Sequence, residues 1–172
     1  MEHLTRTQFG NPILRQRATR VPLAFLQTKA AKTLLQNMFY TIEKIGVGLA
    51  APQVGLPYQL AVIHVRPLPH RPRVERYKRV IVNPKIIRAS TKQQHAFEGC
   101  LSCDGLRGEV PRAQWVDVVY WDETGVKHEE RAEGFLATVF QHEIDHLNGI
   151  LYVDRMKGMR TLMTTEEFRR QQ

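Results

Sequence analysis

Cysteine is scarce in this chain of 172 residues, which carries only Cys100 and Cys103. Two cysteines are too few to hold a domain of this size together, so a disulfide-stapled scaffold is not expected. In a reducing compartment, neighbouring cysteines more often bind a metal or take part in chemistry than form a structural disulfide. Both cysteines are therefore candidate functional groups.

Long apolar segments are also absent, since no run approaches the ~20 residues that a membrane helix needs. The opening segment, MEHLTRTQFG, lacks the apolar stretch of a secretory signal. It also lacks the arginine- and serine-rich, acid-poor composition of a transit peptide. The sequence therefore predicts a cytoplasmic protein without a membrane partner.

Acidic residues are outnumbered, with 17 Asp and Glu against 25 Lys and Arg, a formal net charge of +8. Such a surplus favours acidic partners such as RNA-rich assemblies, but solvated surface charge explains it equally well. The basic, proline-rich residues 66–79 have the same two interpretations, of which a solvated loop is favoured over a contact surface for phosphate or ribosomal RNA. No stable nucleic-acid partner is predicted.

Repeats, low-complexity tracts and domain boundaries are missing as well, which predicts one domain over residues 1–172 with a C-terminal tail from about residue 157. The predicted strands and helices are mixed without the regular strand–helix–strand repeat that indicates a parallel sheet. The predicted class is therefore α+β. Apolar periodicity and turn residues predict helices over residues 28–43 and 135–148, strands over 59–65 and 80–82, and a hairpin of 116–121 with 128–131. Asn83-Pro84 is expected to end the second of these strands.

The strongest chemical signal is QHEIDH, residues 141–146, on the last predicted helix. Residues four apart on a helix project from one face, so His142 and His146 can share a metal ion. Glu143 follows the first histidine directly and can reach a water bound there. This His-Glu-x-x-His pattern is typical of metallohydrolases. Taken alone, it also fits two ordinary helix histidines beside a salt-bridging glutamate.

A catalytic metal needs at least one further protein ligand and one open position. Thermolysin-like proteases supply a downstream glutamate and metzincins a third histidine, but no histidine follows His146 and the chain ends soon after. Upstream, Cys100 lies in the probable turn EGCLS and completes a three-ligand set. Two alternatives stay open: a structural zinc site that also uses Cys103, and a metalloprotease of another fold.

Three segments resemble the motifs of the peptide deformylase family: GVGLAAPQ at residues 46–53, EGCLS at 98–102 and QHEIDHLNG at 141–149. The resemblance runs from about residue 10 to residue 155. It implies small mixed or antiparallel sheets packed around a central metal-binding helix. It also implies a hydrolase that removes the formyl group from the N-terminal methionine of nascent polypeptides, in transient contact with the ribosome. Where the family commonly has an apolar residue and proline after Leu-Ser, this chain has Cys103-Asp104.

The resemblance also implies a role for each motif residue. Cys100, His142 and His146 would bind one divalent metal, Fe²⁺ in the cell, although Zn²⁺, Ni²⁺ or Co²⁺ fits the same ligands. Glu143 is the expected general base, and the Gln53 side chain and Leu101 N–H are the expected donors to the oxyanion. The expected substrate-binding residues are Gly46, Val47, Gly48, Gly99, Phe135, Thr138 and Val139.

Physical reasons support part of this assignment. Gly46 and Gly48 let a backbone pass close to a ligand, or simply end the preceding helix. Phe135, Thr138 and Val139 lie three to seven residues before His142, so they share its helix face and can wall an apolar pocket, unless they are ordinary core residues. Gln141 and Asp145 are expected behind the ligands, with Arg112 as the candidate partner of Asp145.

Overall fold

The computed structural model describes residues 1–67 and 73–171, so the middle of the basic stretch lies outside the described residues. Within these ranges, four short 3-10 helices span Pro12–Arg15, Leu23–Gln27, Ala51–Val54 and Met159–Thr161. No helix in the described ranges is both long and apolar enough to cross a membrane. The other elements are α1 (Lys29–Ile42), β1 (Gly48–Ala50), β2 (Leu60–Val65), β3 (Tyr77–Ala89), β4 (Gln93–Cys100), β5 (Cys103–Ala113), β6 (Trp115–Trp121), β7 (Lys127–Glu133), α2 (Gly134–Leu147), α3 (Tyr152–Arg155), β8 (Met163–Thr164) and α4 (Thr165–Arg170).

A five-stranded antiparallel sheet in the order β1-β2-β3-β6-β7 is covered by a helix on each face. Side chains of β2 point alternately to the two faces. Leu60 and Val62 join the cluster that contains α1, whereas Ala61 and Ile63 join the cluster that contains α2. Because both faces are buried, β2 is apolar without alternation, as its sequence indicates.

Helix α2 is the central helix, because its apolar face lies on this sheet through Phe140 and Ile144. The chain leaves the helix at Gly149, whose φ of +76° is in the left-handed region. A Cβ there would lie 2.6 Å from the carbonyl oxygen of Arg15, so this position requires glycine for two reasons. The predicted helices are confirmed within one or two residues, including Thr28 as the N-cap of α1.

Strand β3 continues past Asn83-Pro84, so the prediction that the strand ends there was wrong. Its pairing with β6 shifts register between Val82 and Lys85, which is a bulge that accommodates the proline. Asn83 has a φ of +50°, and its side chain accepts a bond from Val21 N–H and donates one to Val21 C=O, at 2.8 and 2.9 Å. This contact with a distant segment fixes the strained backbone.

A second, three-stranded antiparallel sheet has the order β4-β5-β8. The segment from about residue 157, which the sequence suggests is a tail, supplies β8 and α4 to it. On α4, Phe168 packs against Phe97 of β4, with ring centroids 5.0 Å apart. Two antiparallel sheets around a central helix confirm the α+β class.

The predicted loops and turns can be checked in the same way. The hairpin of β6 and β7 is confirmed across residues 122–126. Of the basic residues 66–79, predicted as one loop, the last three belong to β3, which begins at Tyr77. The interpretation of residues 68–72 as solvated or RNA-binding concerns residues outside the described ranges.

Candidate metal centre

Helix α2 carries both histidines and Glu143 on the face that turns away from solvent. His146 is 1% exposed and Glu143 is 3% exposed. The ring centroids of His142 and His146 lie 4.9 Å apart, with the rings edge to face. The helical spacing therefore places these side chains as the sequence predicts.

Cys100 reaches the same point from the other sheet, at the tight turn between β4 and β5. Its Sγ lies 3.2 Å from Nε2 of His146. One potential ligand atom from each of Cys100, His142 and His146 falls within 4.8 Å of the others. One soft sulfur and two imidazole nitrogens suit a divalent transition metal, so these residues form a possible metal site.

Cys103 stands outside this ligand group. Among the described residues, the group of ligand atoms that lie this close together contains three side chains and not Cys103. A closed tetrahedral site with two cysteines and two histidines would need all four donors around one point. The geometry therefore disfavours the structural-zinc alternative and leaves room for a further, non-protein ligand.

Glu98 holds His142 in place, a role that the sequence reasoning missed. Its Oε2 lies 2.7 Å from Nδ1 of His142. Since a carboxylate can only accept, Nδ1 carries the proton and Nε2 keeps a free lone pair for a metal. Burial opposes the charge of Glu98, yet hydrogen bonds from His142 and Arg112 lower its pKa to about 2. Position 98 is two residues before Cys100 on β4, so the strand period could have indicated it.

Arg112 joins this carboxylate to the next turn of α2. It donates to Glu98 from Nε at 2.7 Å and from Nη2 at 3.1 Å, and to Asp145 from Nη1 at 2.5 Å. Asp145 also accepts from Arg155 at 2.7 Å. The predicted pairing of Asp145 with Arg112 is confirmed. Gln141 instead ties α2 to β5, bonding both main-chain groups of Ala113 at 3.0 Å.

Glu143 occupies a space that exists because residue 48 has no side chain. A Cβ at Gly48 would lie 2.2 Å from Oε1 of Glu143. Burial raises the pKa of Glu143 to about 7, and its Oε2 has no hydrogen-bond partner among the described residues. Gly48 therefore makes room for a buried carboxyl group, a reason that the sequence reasoning missed, and its expected closeness to a ligand backbone stays a prediction. An unpartnered buried oxygen next to the metal ligands is free to bind a water or a substrate proton.

Gln53 is oriented by the main chain. Its Oε1 accepts the N–H of Ala50 at 2.8 Å, which turns Nε2 towards the β4–β5 turn. Nε2 lies 3.4 Å from Cys100 Sγ and 3.3 Å from Ser102 Oγ. Leu101 is in the same turn, and a Cβ at Gly46 would lie 3.1 Å from its Cδ1. Both predicted oxyanion donors thus belong to residues beside the possible metal site.

Three of the predicted pocket residues lie in the first turns of α2. Val139 and Thr138 are buried, and Val47 and Phe135 pack against the same core cluster. The Thr138 hydroxyl accepts a bond from Gln94 Nε2 at 3.1 Å. Their part in substrate binding stays a prediction. So does that of Gly99, where a Cβ would meet the guanidinium of Arg107 at 3.0 Å.

Comparison with known proteins decides the family. Residues 5–161 match the family model described as polypeptide deformylase. The chain belongs to this family. It is 39% identical over 171 residues to peptide deformylase 2 of Nostoc sp., covering 97% of this chain and 93% of the relative. It is 41% identical over 165 residues to the peptide deformylase of Leptospira biflexa, covering 93% and 91%.

Solved deformylase structures have the same fold. The Met-Ala-Ser-bound class I type b peptide deformylase of Acinetobacter baumannii superposes with a TM-score of 0.86 at 38% identity, covering 90% of this chain and 99% of that one. The actinonin complex of the deformylase from Synechococcus elongatus gives 0.79 at 39% identity, covering 90% and 79%. Peptide deformylases remove the formyl group from an N-terminal methionine, so the predicted family, fold and enzyme class are confirmed.

Proposed function

We propose that this chain removes the formyl group from the N-terminal methionine of nascent polypeptides at a site formed by Cys100, His142 and His146. One observation carries the assignment of the site: three potential ligand atoms lie within 4.8 Å of one another beside the buried carboxyl group of Glu143. The metal would be Fe²⁺ in the cell, with Zn²⁺, Ni²⁺ or Co²⁺ able to take its place, since thiolate and imidazole ligands suit all four.

A divalent ion held there would lower the pKa of a water molecule and make hydroxide available near neutral pH. Glu143 would take a proton from the attacking water and later deliver it to the departing amine. A carboxyl group with a pKa of about 7 suits both duties, because it can accept and donate at cellular pH. Glu98 keeps His142 in the tautomer whose Nε2 is free.

The amide of Gln53 and the N–H of Leu101 donate to the oxygen that becomes negative when the formyl carbon is attacked. One such donor is worth about 3 kcal/mol of transition-state stabilisation. The hydrogen bond from Ala50 N–H to Gln53 Oε1 supports this role, because it prevents the amide from turning its oxygen towards the site.

The substrate lies along β1, which is an edge strand of the five-stranded sheet. Edge main-chain groups near residues 46–48 pair with an extended peptide and give affinity without reading its sequence. Val47, Phe135, Thr138 and Val139 line the pocket for the methionine side chain, and Gly99 lies beside it on β4. Such a site selects the N-terminal methionine and is only weakly selective for the residues that follow it. This suits an enzyme that acts on many different nascent chains.

The remaining assignments follow from this substrate. Residues 1–172 form one catalytic domain that includes the segment from residue 157, because β8 and α4 pack on the strand that follows Cys103. Work on nascent chains places the enzyme in the cytoplasm in transient contact with the ribosome, for which a net charge of +8 is favourable. No stable nucleic-acid partner is part of the proposal.

The experiment is formate release from formyl-Met-Ala-Ser by protein purified without oxygen and loaded with Fe²⁺. We expect turnover that a chelator abolishes and added metal restores. Glu143→Gln should keep the metal and lose about 100-fold or more in turnover. Absence of formate release by the metal-loaded protein would overturn the proposed activity, and near-normal turnover of the variant would overturn the role of Glu143.

A further inference from the structure

Cys103 is a buried thiol that the proposed reaction does not use. It is 4% exposed and packs with Leu14, Val110 and Tyr152. It also lines a cleft of about 510 Å³ together with Phe9, Arg15 and Met159, on the surface behind the β4–β5 turn. None of the three possible metal ligands lines this cleft, so a small solute in it would approach Cys103 from outside the metal site.

Cys100 and Cys103 face each other across that turn. They are directly opposite in the antiparallel pairing of β4 with β5, and both are free thiols. Opposed residues in such a pair have Cα atoms about 4.5 or 5.5 Å apart, and both values lie within the range that disulfides span. The two side chains also share one apolar cluster, since Cys103 is buried within it and Cys100 packs against it.

The Cys100 sulfur thus has two sets of neighbours. On one side it lies 3.2 Å from His146 Nε2, within the possible metal site. On the other it meets Cys103, which the ligand group does not include. The main-chain N–H of Ser102 and the side-chain amide of Gln53 donate to the same sulfur at 3.3 and 3.4 Å. These bonds hold the sulfur between the possible metal site and Cys103.

We propose that Cys100 and Cys103 are a redox modification site: in the metal-free protein a hydroperoxide converts them to a disulfide that withdraws Cys100 from the metal site. The proposal rests on the assignment of Cys100 as a metal ligand. Metal binding and the disulfide are mutually exclusive, because one sulfur serves both.

The chemistry balances with the peroxide as oxidant. The Cys103 sulfur attacks the peroxide, the O–O bond breaks, an S–O bond forms and an alcohol leaves, or water when the oxidant is hydrogen peroxide. The Cys100 sulfur then attacks the Cys103 sulfur, so that an S–S bond forms and the S–O bond breaks. The hydroxyl group leaves as water with the proton of the Cys100 thiol. A dithiol reduces the new disulfide by thiol–disulfide exchange, which returns both cysteine thiols and oxidises the dithiol to its own disulfide.

The test uses metal-free protein and one molar equivalent of hydrogen peroxide, followed by alkylation under denaturing conditions and mass spectrometry. We expect a monomer lighter by two hydrogen atoms, with Cys100 and Cys103 in one cross-linked peptide and neither alkylated. Cys103→Ala should form no internal disulfide, and Cys103→Ser serves as a second variant without this thiol. Zinc bound before the peroxide is added should protect the wild-type pair.

A zinc-binding measurement gives the second readout. Oxidised wild-type protein should bind Zn²⁺ about 100-fold more weakly or worse than reduced protein, since losing a ligand costs at least as much as losing its supporting partner. Dithiothreitol should restore binding. The proposal would be overturned if both cysteines were still alkylated after peroxide treatment, or if a disulfide formed only between chains. Unchanged zinc affinity of the oxidised monomer would overturn it as well. Neither readout uses formate release, so failure of the deformylase activity would be seen separately.

Discussion

Gly48 and Glu143 fit together so closely that a Cβ on residue 48 would lie 2.2 Å from the Glu143 carboxyl oxygen. A side chain at residue 48 would have to displace the Glu143 carboxyl group, because Gly48 is fixed in β1 by its pairing with Ile63 and Glu143 is fixed on α2. The glycine of one motif therefore positions the acid of another, although they are far apart in sequence.

Gly48→Ala should displace the Glu143 carboxyl group and leave the metal ligands in place. We expect turnover to fall about 100-fold, because a shift of about 1 Å in a catalytic group has an effect of this size. Steady-state kinetics and metal analysis check it. The matched control is Gly158→Ala, since residue 158 has extended backbone and a methyl group added there would have no atom within 4 Å, so its turnover should be unchanged. Normal turnover of Gly48→Ala would contradict the assigned relationship.

Glu98→Ala should weaken metal binding without removing a ligand. The carboxylate fixes the His142 ring through Nδ1, and loss of such a partner costs about 10- to 100-fold in metal affinity. The variant also removes one of two acidic partners of the buried Arg112, which should lower the free energy of unfolding by about 3 kcal/mol.

Zinc titration and urea unfolding measure these two effects of Glu98→Ala. Glu109→Ala, on the neighbouring strand and half-exposed, is the control and should change neither quantity appreciably. Unchanged zinc affinity of Glu98→Ala would show that the carboxylate does not orient the histidine.

The β6–β7 turn should make stability depend on pH. Burial opposes the charge of Asp122, but hydrogen bonds from Thr124, His128 and the N–H of Val126 hold the pKa of its carboxyl group well below the usual range. A pKa lower in the folded than in the unfolded state means that the charged group stabilises the fold above about pH 4, and that this contribution is lost as the pH falls further.

Asp122→Asn should therefore cost about 1 kcal/mol in the free energy of unfolding at pH 7, the size expected for a pair near the surface. Its difference from wild type should stay nearly constant above about pH 5 and shrink progressively as the pH falls below about 4. Urea unfolding at several pH values measures both effects. Glu123→Gln in the same turn is the control and should have little effect at any pH. A difference that does not vary with pH would show that the charge of Asp122 is not involved.

The sequence predicted α2 and its ligands well because a helix makes neighbours of residues three and four apart. His142, Glu143 and His146 needed no distant information. Cys100 is different, because only the folding of β4 and β5 brings it to α2. It was proposed as third ligand from its chemistry, and the motif resemblance then implied the same role. The network of Arg112 with Glu98 and Asp145 could be guessed only in part for the same reason.

Two features depended on contacts that no local pattern shows. Asn83-Pro84 has the composition of a strand end, yet β3 continues because Asn83 bonds both main-chain groups of Val21. Gly48 has the freedom of any glycine, and only the position of Glu143 shows why no side chain fits there. Sequence reasoning was wrong about the strand end at Asn83-Pro84, and it missed the contact with Glu143 that excludes a side chain at Gly48.

X-ray absorption spectroscopy of the zinc-loaded protein tests the central claim most directly, because it counts sulfur and nitrogen ligands at the metal. We expect one sulfur at about 2.3 Å and two imidazole nitrogens at about 2.0 Å, with the remaining position taken by solvent. The spectrum of Cys103→Ala should be the same. Two sulfur ligands, or none, would contradict a site made of Cys100, His142 and His146.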